Sequence, residues 1–283
     1  MELLKSALFG LVEGITEWLP ISSTGHMILL EDLVKLNVSE SFWEMFLVVI
    51  QLGAILAVIL LFFKKLWPFG KKNNNSPVKE EGILSWFKKD VWTMWFKIIV
   101  ACLPAIILVI TGLDEKFEAW FYNAPSVAIA LIVFGIGFLI VETINKNKNP
   151  KIASIADISY KTALCIGLFQ LIAAIFPGTS RSGATILGAL LIGVSRETAA
   201  EFTFFLAVPV MLGASLLKIL KFGFAFTSME LAILLVGMVV AFAVSIVVIK
   251  FLMGYIKKHD FKVFGWYRIV LGIIVLLYFF LVK

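Results

Sequence analysis

The chain has 283 residues, of which 61% are hydrophobic and 16% charged, with a formal net charge of +6. Its mean hydropathy is +1.00, whereas soluble domains are roughly 45–50% apolar. That composition excludes a soluble globular protein. A transmembrane β-barrel is excluded too, because the apolar segments run for about 18 residues without period-2 alternation. The net charge does not point to nucleic acid, since the lysines crowd into loops between apolar runs, as membrane orientation requires. The two cysteines, Cys102 and Cys165, sit inside apolar runs and form neither a disulfide framework nor a metal motif.

The expected class is an all-α polytopic membrane protein, one integral domain over 1–283. Residues 2–36 are apolar but carry Lys5, Glu13 and Glu17, and Pro20 divides them into two pieces too short to span. They are expected to form a re-entrant hairpin. Spans follow at 46–63, 91–113 and 126–141. Residues 64–90 form a polar linker with seven lysines, the least ordered-looking segment, and 114–123 a short acidic loop. The pattern restarts at 162–194 with a second hairpin divided at Pro177, then spans at 202–220, 230–253 and 264–282. Arg196 and Glu197 read as loop charges.

Self-comparison supports a repeat. Gly10-x-x-Glu13 and Pro20-x-Ser22-Ser23 align with Gly167-x-x-Gln170 and Pro177-x-Thr179-Ser180 at an offset of 157. The halves, 1–141 and 162–283, each hold a hairpin and three spans. Three is odd, so the expectation is an inverted-topology repeat. The loops 64–90, 142–161 and 254–262 then share the cytoplasmic side, with both termini and the mouth of the first hairpin outside.

Ionisable groups at membrane depth mark functional sites by default. Glu13 and Glu17 share a helix face, an arrangement that suits a hard divalent cation, Mg²⁺ or Ca²⁺. An ordinary solvated pair is the plain alternative. Ser22, Ser23 and Thr24 precede Gly25 and His26 and can serve as helix caps; the His26 imidazole can act as nucleophile, acid or base. In the second hairpin, Gly178 permits a tight turn. Arg181, among Thr179, Ser180, Ser182 and Thr185, adds a planar fork at a helix start, where anions are favoured. No Walker sequence is present. Carboxylates, an arginine and a nucleophile make a phosphoryl-transfer set. Inverted repeats with broken helices equally fit a secondary transporter or lipid flippase.

At these residues the chain resembles the undecaprenyl-diphosphatase family, known for bacitracin resistance. The first motif stands as Glu13-Gly14-x-Thr16-Glu17-x-x-Pro20-x-Ser22-Ser23-Thr24-Gly25-His26, the second as Pro177-Gly178-Thr179-Ser180-Arg181-Ser182-Gly183-x-Thr185. The resemblance covers the whole chain. It implies a plasma-membrane enzyme that converts undecaprenyl diphosphate to undecaprenyl phosphate and inorganic phosphate, recycling the carrier lipid of cell-wall synthesis. It implies a divalent cation at Glu13 and Glu17 and a site open to the outer face. Arg181, helped by the second motif's hydroxyls, would grip the diphosphate, and either Ser23 or His26 would attack. The implied partners are the polyprenyl lipid, the bilayer and, as an option, a second copy of the chain.

Overall fold

The structure is a computed structural model that describes residues 1–70, 74 and 76–282. Lys71, Lys72, Asn73 and Asn75 of the linker, and Lys283, lie outside the described residues.

The chain opens with α1 (Glu2–Thr16) and α2 (Ser23–Leu33), joined by the turn around Pro20. Next come α3 (Glu40–Val49) and α4 (Gln51–Leu61), which together make one apolar stretch of 22 residues interrupted near Ile50. The linker carries α5 (Phe63–Leu66), a 3-10 turn (Ile83–Trp86) and isolated bridges Phe69–Phe87 and Pro77–Lys88. Then follow α6 (Lys89–Ile110), α7 (Leu113–Phe121) and α8 (Ala124–Asn145). The second hairpin is α9 (Tyr160–Ile175) and α10 (Arg181–Leu191). Last are α11 (Arg196–Phe222), α12 (Ser228–Tyr255) and α13 (Lys262–Val282).

Among the described residues, six helical segments are long and apolar enough to cross a membrane, and helices are the open-chain solution that satisfies every backbone group in hydrocarbon. Their starts are fixed locally. Asn123, Ser159 and Ser195 accept from backbone N–H groups three residues on, and Thr227 forms a capping box with Glu230. The segment 114–123, expected as a loop, holds eight of the nine residues of α7. Asp114 and Glu115 in its first turn complement the helix dipole.

Small residues let backbones approach where lipid supplies no hydrophobic force between helices. A methyl at Gly10 would meet the Gly237 carbonyl, and one at Gly14 would come within 2.8 Å of the Ala241 carbonyl. Ser6 Oγ also donates to the Ile233 carbonyl at 2.5 Å. Both series ascend, so α1 runs parallel to α12. In the second hairpin, Gly167 of α9 lies against Ala101 of α6. By contrast, Gly135 meets Gly265 while Ala128 meets Gly272, so α8 and α13 run antiparallel.

The polar groups divide into two ends. At one end Lys65 pairs with Glu201 at 2.5 Å, Lys97 Nζ donates to Ala156 O at 2.9 Å, and Ser195 N to Ile152 O at 2.8 Å. The described parts of the three lysine-rich loops gather there. At the other end Asn37 N donates to Glu2 at 2.8 Å, Trp43 Nε1 to Glu31 at 2.7 Å, and Lys221 to Glu115 at 3.1 Å.

Candidate active site at the two hairpin tips

Both hairpins turn on a serine in the left-handed region. Ser22 has φ 73° and Ser180 has φ 68°, the only non-glycine residues with positive φ among those described. Such backbone is sparsely populated and clusters at functional sites. Each serine caps the helix it precedes: Ser22 Oγ accepts from Gly25 N at 3.4 Å, and Ser180 Oγ from Gly183 N at 3.1 Å. These matching caps are 158 apart, one more than the sequence offset. The additional residue is absorbed at the second tip, where Gly178 has φ 92° and lies against the Val127 backbone.

The tips meet at Glu17. One carboxylate oxygen accepts from Arg181 Nη2 at 2.7 Å, and the other from Ser23 Oγ at 3.0 Å. The backbone carbonyl of Glu17 accepts from Ser182 Oγ at 3.1 Å. Glu17 and Arg181 are 8% and 14% exposed. Arg181 also reaches Thr203 O at 3.4 Å and Met211 Sδ at 3.2 Å. Thr185 Oγ1 donates to Arg181 O at 2.9 Å and accepts from Thr203 Oγ1 at 2.9 Å. Ser180 and Ser182 hydroxyls lie 3.1 Å apart. Thr24 stands in the first turn of α2, and Thr179 is fully buried with Oγ1 unpartnered.

Glu13 lies one helical turn before Glu17, is 1% exposed, and keeps Oε1 without a hydrogen-bond partner. A buried carboxylate oxygen left open is costly unless something fills it. Hard oxygen donors from one or two carboxylates, completed by phosphate oxygens and water, suit Mg²⁺ or Ca²⁺. Glu13, with its open oxygen, therefore fits a divalent cation; Glu17, whose two oxygens are taken by Arg181 and Ser23, joins it only when the arginine is displaced.

His26 is turned elsewhere. Its Nδ1 lies 2.7 Å from the Ser22 carbonyl and its Nε2 2.7 Å from the Tyr267 hydroxyl. A carbonyl only accepts, so Nδ1 carries the proton and Nε2 accepts from Tyr267. The two rings stack at 5.6 Å. Among the described residues, the hydrogen-bond partner of Ser23 Oγ is Glu17 and not His26.

Arg268 of α13 did not stand out in the sequence. It is fully buried, donates to Pro20 O of the first tip at 3.2 Å, and reaches Gly178 O and Thr179 O of the second at 3.0 and 2.6 Å. Its guanidinium also lies 5.7 Å from the Phe134 ring centre. A single side chain on a third helix thus bolts the tips together. The signal available was an arginine inside an otherwise apolar run, which is expensive in a membrane. Tyr267, its neighbour, offered no such signal.

A family model described as "Bacitracin resistance protein BacA" matches residues 6–274. A protein of Desulfitobacterium hafniense named undecaprenyl-diphosphatase is 63% identical, over 99% of this chain and 96% of its own length. Undecaprenyl-diphosphatase 1 of Clostridium acetobutylicum is 61% identical, over 100% of this chain and 99% of its own. An undecaprenyl-diphosphatase of Enterococcus faecalis is 60% identical, over 98% and 97%. With the family match running almost from end to end and both motifs at the meeting tips, this chain belongs to the bacitracin resistance protein BacA family.

Proposed function

We propose that this chain is a membrane hydrolase that converts undecaprenyl diphosphate to undecaprenyl phosphate and inorganic phosphate. That activity returns the carrier lipid to peptidoglycan synthesis and confers bacitracin resistance. The relatives' names support hydrolysis over the transporter reading. The observation that carries the proposal is Glu17, shared between a nucleophile, Ser23, and a phosphate-binding group, Arg181.

In the proposed mechanism the diphosphate takes the place of Glu17 at Arg181, whose planar fork matches phosphate oxygens. The Ser23 proton passes to the Glu17 oxygen that already accepts it. Ser23 Oγ attacks the terminal phosphorus, the bridging bond breaks, and undecaprenyl phosphate leaves. Water then cleaves the phosphoserine to inorganic phosphate, with Glu17 as proton carrier. Arg181 and the Ser180 and Ser182 hydroxyls hold charge on the transferring group. Thr185 holds the backbone carbonyl of Arg181. A divalent cation at Glu13 and Glu17 would neutralise diphosphate charge. His26 shapes the α2 turn and, with Tyr267, lies beside the serine as a positioning group.

The halves form an inverted repeat in this proposal. The parallel seam of α1 on α12, the counterpart seam of α9 on α6, and the matching serine caps support it. The lysine-rich end is cytoplasmic, which puts Met1 and the mouth of the first hairpin outside.

The test is phosphate release from undecaprenyl diphosphate by purified protein in detergent, with and without chelator. Release that stops on chelation and returns with Mg²⁺ or Ca²⁺ is expected. Lipid binding without phosphate release would restore the transporter reading. An intermediate trapped on serine, stable to acid, is expected; an acid-labile phosphohistidine would replace Ser23 with His26.

A further inference from the structure

At the lysine-rich end, a cleft of about 720 Å³ opens between the linker, α6, residues 153–156 and the start of α11. Lys64, Lys65, Lys88, Lys89 and Lys97 line it. Asp90, Glu197 and Glu201 line it as well, and Glu201 is engaged by Lys65 at 2.5 Å. The cleft therefore keeps an excess of positive charge. Membrane orientation explains lysines in loops, but it does not explain Lys97. That residue lies two turns inside α6, is 7% exposed, and gives one hydrogen bond to Ala156 O, so its ammonium keeps further donors for a ligand. Among the described residues it has no carboxylate within ion-pair distance, and the charge that acts on it from further off is Asp157, next to Ala156.

The lysines alternate with aromatic rings. Lys64 and Lys65 fall between Phe63 and Trp67, which stack at 5.4 Å. Lys88 and Lys89 fall between Phe87 and Trp92, which stack at 6.0 Å. Phe69 joins the two groups, 5.7 Å from Trp67 and 5.8 Å from Trp92. Trp67 is 49% exposed and Phe96, next along the row, 52%. The exposed tryptophan of this row, Trp67, is an amphipathic ring of the kind that settles at headgroup level. The depth of the cleft is thereby set at the height where lipid phosphates lie, and exposed apolar surface adjoins it for acyl chains.

We propose that this cleft binds the phosphate headgroup of an anionic phospholipid from the leaflet that this end faces, apart from the phosphatase site. Basic pockets between helices at the membrane surface take such headgroups. A soluble phosphate shares the charge but gains nothing from the aromatic row.

The test uses the full chain in neutral detergent and native mass spectrometry, titrating phosphatidylglycerol, phosphatidylcholine and inorganic phosphate. Each lysine near an anionic headgroup is worth about fivefold in affinity, so Lys64→Gln/Lys88→Gln/Lys89→Gln weakens phosphatidylglycerol on the order of 100-fold. The single Lys89→Gln weakens it about fivefold. A charge-matched control at the same end, Lys146→Gln/Lys161→Gln/Lys258→Gln, changes it less than about threefold. The proposal is overturned if the control weakens binding as much as the cleft variant. Equal retention of phosphatidylcholine, or displacement of the lipid by inorganic phosphate at equal concentration, overturns it too. These readouts need no turnover, so they stand or fall separately from the hydrolase reading.

Discussion

Two arginine–glutamate pairs with buried carboxylates are built in opposite ways in this molecule. Glu142 is 1% exposed, and Arg196 grips it with Nε at 2.9 and 3.1 Å and with Nη2; the same carboxylate accepts from Phe261 N at 3.0 Å. Both carboxylate oxygens of that knot have partners within the fold, and it ties α8, α11 and the α12–α13 loop together. Glu17 and Arg181 touch through one nitrogen and one oxygen, and the remaining oxygen of Glu17 holds Ser23. A bidentate pair is made to stay closed, whereas a single-point pair beside a hydroxyl can exchange its arginine for a phosphate. The first pair is a clasp, and in the proposed mechanism the second keeps a place for substrate.

The largest effects are expected where the place-keeping pair is cut. Ser23→Ala should lower phosphate release by at least about 10³-fold, and Arg181→Ala on the order of 10³-fold. Arg181→Ala alone also leaves Glu17 buried without its cation, which lowers stability. The double variant Glu17→Gln/Arg181→Ala should therefore recover the unfolding temperature while activity stays lost. Recovery of both would make the pair structural, like Glu142–Arg196.

The clasp predicts the reverse. Glu142→Gln should destabilise by about 3 kcal/mol, the low end for a broken buried pair because Arg196 is about a third exposed. Turnover per folded molecule should hold. Thermal unfolding in detergent and turnover measured on the same sample separate these outcomes. A fall in turnover at unchanged unfolding temperature would mean that the clasp acts on the tips. Arg268 stands between the two cases. Arg268→Lys keeps the charge, but a single ammonium cannot span the three carbonyls that the guanidinium reaches on both tips. Loss of one hydrogen bond to a charged group costs about 1.5–3 kcal/mol. A comparable drop in stability is expected, accompanied by a weaker grip on the diphosphate and a raised KM.

The sequence carried the membrane class, the number of long apolar segments and the residues of both tips, because hydrocarbon makes polar groups conspicuous. Glu13, Glu17, Ser23 and Arg181 stood out for that reason alone. What it could not carry was pairing at a distance. Arg196 reads as a loop charge until Glu142, 54 positions earlier, is seen to enclose it. Arg268 binds backbone carbonyls, which leave no trace in side-chain identity. The nine-residue α7 is too short for a helical period to emerge, and the interruption at Ile50 is marked only by Gln51 and Gly53 in an otherwise apolar run, with no proline. His26 was legible as a chemical group, but its direction was not. An imidazole beside two serines invites a role as their base, and only the Tyr267 contact shows that its acceptor nitrogen is already engaged.

That contact supplies the smallest expected effect and the sharpest test of which residue attacks. Tyr267→Phe removes one hydroxyl from a partly exposed pair while the ring stack persists, a change worth about 1 kcal/mol. If Ser23 attacks with Glu17 as its base, the histidine only steadies the turn. The variant should then cost about fivefold in kcat/KM, and Ser23→Ala should remain inactive in its presence. If His26 attacks, Tyr267→Phe uncovers the nucleophilic Nε2, and the rate should rise rather than fall. The sign of one modest change in kcat/KM therefore separates the two nucleophiles.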